Sequence, residues 1–135
     1  MSCKSAIYAV NTTAGTALAN GAVYAPTSVI RRYGPSVQLV GNGILINGTG
    51  YYDVEAVATV TGTAVGTVTA TLYKDGNPVA GATTTATATA IGDVIALPIT
   101  SIVRLTCNCQ EAVLTIVISG QAVSTNNLAI TVEKE

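Results

Sequence analysis

A chain of 135 residues and 13.6 kDa is sized for one domain, and residues 1–135 are expected to form a single folding unit. Only 10% of the residues are charged and the net charge is -1; the six basic residues are scattered, so recognition of a nucleic-acid backbone, which draws on clustered Lys and Arg, is excluded. Histidine is absent, which removes the usual general base at neutral pH, the Ser-His and Cys-His nucleophiles and the histidine zinc sites.

The predicted elements are strands throughout. MSCKSAIYAVNTTAG opens the chain without the apolar core of a secretion signal, so synthesis in a cytoplasm is expected and the sequons at Asn11 and Asn47 are read as incidental. A first short strand is expected at Ala6–Val10, with others at Val37–Val40 and Ile44–Ile46, set between the turn pairs Asn20-Gly21, Gly34-Pro35, Asn42-Gly43 and Asn47-Gly48. From Tyr52 the alternation becomes regular. Tyr52, Val54, Ala56, Ala58 and Val60 point to a core, while Tyr51, Asp53, Glu55 and Thr59 point to water. The pattern resumes with Val68, Ala70 and Leu72 inward, and KDGNPVAG follows as a hairpin loop, its Asp75-Gly76 suited to positive φ. TTTATATA, Thr83 to Ala90, alternates as a strand; the competing reading is a low-complexity linker. Further strands are expected at Asp93–Leu97, Ser101–Thr106, Glu111–Ser119 and Leu128–Glu133. Of these, AVLTIVIS is apolar on both faces and therefore central or covered by another subunit. No segment has helical periodicity with caps, and none approaches the roughly 18 apolar residues of a membrane span, so no membrane partner is expected. The fold class is all-β: an antiparallel jelly-roll β-sandwich.

Chemistry-bearing residues are few. Asp53 and Glu55 share one strand face, a spacing open to paired-carboxylate catalysis, but a wet face opposes the burial that would hold one of them protonated. Gly48 and Gly50 precede a strand and lack the Lys-Ser/Thr of a phosphate loop. Asp75 and Asn77 have the spacing of two oxygen ligands without the distal Glu of a calcium loop. Cys3, Cys107 and Cys109 lack four-ligand zinc spacing and read as reduced thiols, pairing in an oxidising medium being the alternative. No catalytic, cofactor or metal-binding set is expected, and no enzyme.

With no Phe or Trp and one Met, core volume must come from Val, Ile, Leu, Ala and six tyrosines, and so thin a core favours support from a partner subunit. Tyr51, Tyr73, Val113 and Val117 leave aromatic or apolar groups on nominally outer faces and are the expected subunit-interface residues.

In order and spacing, NGAVYAPTSV, ILINGTGYYDVEAVATV, TLYKDGNPVAGA, LPITSIVRLTC, LTIVIS and LAITVEKE resemble the tumour necrosis factor-like jelly roll, the superfamily of the complement globular heads. The Ala/Thr/Val/Gly-rich style is similar to small structural domains of this type in tailed bacteriophages and prophages. That resemblance implies a homotrimer in the virion, a capsid-decoration or head-fibre module bound to other virion proteins, or alternatively a collar or tail adhesin that binds a host receptor or glycan.

Overall fold

A computed structural model describes residues 5–106 and 111–134. Twelve strands form two antiparallel sheets packed face to face. The first sheet runs in the order β10 (Val94–Leu105), β7 (Gly50–Gly62), β12 (Val123–Lys134), β1 (Ser5–Asn11) and β4 (Ser28–Tyr33), with short β2 (Ala17–Leu18) beside β12. The second runs β5 (Val37–Val40), β6 (Gly43–Asn47), β11 (Glu111–Ser119), β8 (Gly66–Lys74) and β9 (Asn77–Ala88), with β3 (Ala22–Val23) beside β11. Neighbouring strands are mostly distant in sequence, as β1 with β12 and β6 with β11, which is the jelly-roll arrangement expected from the alternation. Among the described residues there is no helix, and hence none long and apolar enough to cross a membrane.

The core is the pooled inner faces of these strands. Tyr52, Val54, Ala56, Ala58 and Val60 are buried as their period of two requires, as are Val68, Ala70 and Leu72. The facing strand β11 contributes Ala112, Leu114, Ile116 and Ile118 and lies in the middle of its sheet, while its outward Val113 and Val117 are half-buried. Tyr24 and Tyr52 are the bulkiest fully buried side chains and take the volume that Phe or Trp would otherwise supply.

Tyr52 does more than fill space. Its hydroxyl donates to the carbonyls of Asn47 and, at 2.8 Å, of Gly48, tying the turn after β6 to the start of β7. Burial pushes its phenol above the ordinary value, partly offset by Ser36, and burial likewise raises Tyr24. The opposite case is Asp93. Its carboxylate accepts from the Thr89 hydroxyl at 2.8 Å, the Thr89 amide at 2.9 Å and the Ala90 amide at 3.1 Å, so that the β9–β10 turn closes on it and its pKa is held down.

Strand boundaries differ from the sequence reading where an edge was invisible. The segments expected at Asp93–Leu97 and Ser101–Thr106 are one continuous strand, β10, running through Pro98. As β10 is the sheet's outermost strand, the missing amide of Pro98 costs no ladder bond. Pro78 is tolerated for the same reason: β9, also an edge, begins at Asn77, and the register jumps from Thr71↔Thr83 to Tyr73↔Pro78. The tip of that hairpin has φ of 52° at Asp75 and 81° at Gly76, as two positive-φ positions require. β2, β3 and β4 were not anticipated, being too short or, for β4, exposed at every position. The turn assigned to Asn42-Gly43 is centred one residue earlier, because Gly43 already belongs to β6. A Cβ there would lie against the Leu114 carbonyl oxygen and 2.8 Å from Thr115 Cγ2. Cys107 and Cys109, like Cys3, lie outside the described residues.

Three substitutions test these contacts. Gly43→Ala is expected to lower stability by about 2 kcal/mol or more, read by urea unfolding, since β6 must move off β11. Tyr52→Phe is expected to cost about 1 kcal/mol. A raised phenol stabilises fully below its unfolded pKa, about 10, and that contribution is lost as pH climbs through the folded value; unfolding midpoints above about pH 10 therefore fall less in Tyr52→Phe than in the parent. For Asp93, whose pKa is lowered on folding, the contribution is present above about pH 4 and lost as pH falls through the folded value. Asp93→Asn flattens that acid limb.

Candidate functional site

Functional groups in this molecule lie on the outer faces of the two sheets, because the interior is filled by aliphatic side chains. The outer face of the β10-β7-β12-β1-β4 sheet is the more unusual. Eight of the ten large hydrophobic side chains exposed among the described residues belong to its strands: Tyr8, Ile30, Tyr33, Tyr51, Val57, Val94 and Ile102, together with Val29, which lies opposite core-facing Ala9 and so on the other side of the edge strand. The other two, Val65 and Ile91, sit at turns. Scattered exposed apolar residues are normal, but a concentration on one sheet marks an interaction surface.

Charge on this face is also organised. Register pairs Ile102 with Asp53, Asp53 with Glu133, and Glu133 with Ala6, while Glu55 lies opposite Thr131. Asp53, Glu55 and Glu133 thus surround Thr131 in a small depression. Glu133, on the last strand, has no spacing relation in sequence to the Asp53–Glu55 pair; only the β7–β12 pairing brings it there. Two carboxylates directly opposite each other repel, and among the described residues no Lys or Arg forms an ion pair with them. Asp53 is half-buried and Glu55 exposed, so this is the wet face the alternation implied. Cations sit at its margins. The Arg104 guanidinium lies 5.5 Å from the centre of the Tyr51 ring, and Arg31 pairs across from Tyr8.

The four expected interface residues divide between the two faces. Tyr51, half exposed, belongs to the apolar outer face just described. Tyr73, Val113 and Val117 are half-buried on the outer face of the other sheet, where Val117 lies opposite Thr71 and Val23, Tyr73 opposite Thr115, and Val113 opposite Leu45. The structure therefore brings three of them onto one sheet and places the fourth on the opposite side of the sandwich. What the sequence reading missed is that Tyr8, Tyr33, Val57 and Ile102 accompany Tyr51. The signal was weak, since each alternates with buried residues or, as at Tyr33, sits in a strand exposed throughout.

Other singled-out groups have local structural roles. Gly48 is a positive-φ turn residue whose carbonyl receives Tyr52. Asp75 receives the Val113 amide at 2.9 Å and returns its own amide to the Val113 carbonyl, fastening the β8–β9 tip to β11. Among the described residues no three His, Cys, Asp or Glu side chains are placed to share a metal ion.

This two-sheet fold is similar to that of solved structures. The Eiger TNF of S. frugiperda superposes with a TM-score of 0.69 over 97% of this chain and 91% of its own, at 13% identity. The fold is a tumour necrosis factor-like jelly roll. The globular domain of the zebrafish complement 1qA protein matches with a TM-score of 0.63 over 95% of this chain and 94% of its own, at 10% identity. PRD1 vertex protein P5 matches with a TM-score of 0.60 over 96% of both chains, at 19% identity. These identities make the likeness one of fold. No protein-family model and no curated protein sequence matches the chain.

Relief of the carboxylate repulsion is measurable. Glu133→Gln is expected to stabilise the fold by about 0.5 kcal/mol at low ionic strength, and thermal unfolding in 1 M salt should show most of that gain gone, because screening has already weakened the repulsion.

Proposed function

We propose that this protein is a structural component of a bacteriophage virion, a non-catalytic module of the capsid-decoration or head-fibre type that works as a homotrimer. The observation carrying this reading is the end-to-end likeness to a phage vertex protein, joined by an outer sheet face whose apolar side chains call for a protein partner. A closed threefold ring is held by head-to-tail contacts, in which every subunit offers two different patches. The apolar face bearing Tyr51 serves as one, and the patch of Tyr73, Val113 and Val117 on the opposite sheet is available as the other. The whole chain, 1–135, acts as one domain, made in the host cytoplasm and incorporated into the particle through contacts with other virion proteins.

A second reading, a collar or tail adhesin recognising a host glycan, is supported by a charged groove beside the β8–β9 hairpin. Both readings use the same trimeric scaffold and neither assigns a catalytic residue.

Light scattering coupled to size exclusion is expected to give about 41 kDa, three copies of the 13.6 kDa chain. Val57→Asp, at an exposed position, should leave the monomer folded by circular dichroism and drop the mass towards a single chain, since an added charge in a closed contact stays unpaired. On purified particles, quantitative mass spectrometry is expected to find the protein in a multiple of three copies. A stable monomer, or absence from particles, would remove the proposal.

A further inference from the structure

The two most exposed large hydrophobic side chains among the described residues lie on neither sheet face. Ile91 is 76% exposed in the β9–β10 turn, and Val65 is 66% exposed in the β7–β8 turn. The ladder between β8 and β9 ends at Gly66↔Ala88, so Val65 is one residue beyond that pair and Ile91 three beyond it on the other strand. Gly62 closes the gap: its amide donates to the Asp93 carbonyl at 2.9 Å, and its carbonyl accepts from the Gly92 amide at 3.0 Å. The two turns are therefore neighbours at one end of the sandwich. It is the end away from the Tyr52 anchor, because β7 and β12 pair Gly62 with Val123 at one extreme and Tyr52 with Lys134 at the other.

Both turns are fixed from within. Gln121, in the β11–β12 turn, accepts the Thr63 and Ala64 amides on Oε1 at 3.1 and 3.0 Å and donates from Nε2 to the Ala64 carbonyl at 3.0 Å. The Asp93 carboxylate is committed to Thr89 and Ala90. Where the turns meet there is no slack, since a Cβ on Gly62 would lie 2.9 Å from that of Ala88. Turns ordered in advance lose little further freedom on docking.

Charge and area select the kind of partner. Across residues 62–66 and 89–93 the sole charged group is the committed Asp93 carboxylate, and no Lys or Arg is there to meet an anionic lipid headgroup. Charge serves steering in transient encounters, whereas permanent contacts are the more apolar. Two aliphatic side chains also cover far less than the roughly 800 Å² per partner of a standard interface, too little to hold two copies together on their own. A threefold axis, however, sets all three copies of this end at one height, so a trimer presents the pair three times to a single surface.

We infer that this end of the sandwich is the attachment surface of the trimer, with Ile91 and Val65 seated in apolar, uncharged sockets of another virion protein. The inference rests on the virion reading above and adds the end by which the module is held. Ile91, the more exposed of the two, is the principal anchor.

The test titrates purified full-length protein onto particles produced without it, and sedimentation gives the apparent dissociation constant. The double variant Val65→Gln with Ile91→Gln is expected to remain a folded trimer of parental mass by circular dichroism and light scattering. Its binding is expected to be at least about tenfold weaker, since burying one aliphatic side chain supplies more than a factor of ten. Ile91→Leu, which keeps the apolar volume, should retain most of the affinity. Parental affinity in the double variant overturns the proposal and leaves the virion reading standing. A double variant that no longer weighs as a trimer overturns it too, by placing these side chains in the subunit contact. So does parent protein that sediments with neutral phosphatidylcholine vesicles in a manner abolished by Ile91→Gln, which makes the partner a lipid surface. Failure of the parent trimer to bind the particles overturns it as well, whereas absence from native particles defeats the virion reading itself.

Discussion

Everything in this molecule depends on closing the space between two sheets with short side chains. Stacked sheets sit about 10 Å apart, and the inner faces must fill that gap at the density of a crystal. Lacking Phe and Trp, the chain meets the demand chiefly by alternation of Val, Ile, Leu and Ala along the long strands, interrupted at the bulge beside the buried Thr125, with Tyr24 and Tyr52 as the bulkiest wedges. Alternation leaves no freedom of register, because a slip of one residue would turn Val54 and Val60 outward and Glu55 inward. It also explains why polar anchors occur at strand ends: the Tyr52 hydroxyl reaches the Asn47–Gly48 turn, and Asp93 gathers the β9–β10 turn.

A core so strictly two-sided has consequences outside it. Side chains not needed inside are free to vary, and the two outer faces have been used differently. Across the β5-β6-β11-β8-β9 sheet threonines face outward and pair across strands, Thr69 with Thr85 and Thr71 with Thr83, a surface comfortable in water. On the opposite sheet tyrosines, valines and isoleucines are exposed around a knot of carboxylates. The asymmetry between faces of similar strands, more than any single residue, argues for a covered surface there.

The edges complete the picture. Pro98 on β10 and Pro78 on β9 are placed where a missing amide does least harm to the sheet and where it blunts pairing with a stray strand. Between these two edge strands lies a groove lined by the β8–β9 hairpin, Pro78 included, and the C-terminal end of β10.

How much of this was legible beforehand depends on whether a property is local. The inward set from Tyr52 to Val60, the Asp75-Gly76 hairpin, the limits of Val37–Val40 and Glu111–Ser119 and the all-β class could all be read directly, since a period of two and positive-φ turns are written in adjacent residues. The resemblance to the tumour necrosis factor-like jelly roll rested on the order of such segments, and the strand pairing bears it out. What sequence could not supply was neighbourhood. It divided β10 at Pro98 because edge and centre look alike along a chain, and it overlooked β4 because a strand exposed at every position carries no alternation. Glu133 joined Asp53 and Glu55, Arg104 came over Tyr51, and Lys74 met β10 only through pairings and hairpin contacts that connect residues some thirty to eighty positions apart. The sequence by itself determined which side of each long strand is buried, because burial follows from local alternation. Tertiary structure alone decided which outward residues share a face or a groove, because that depends on which strands lie side by side.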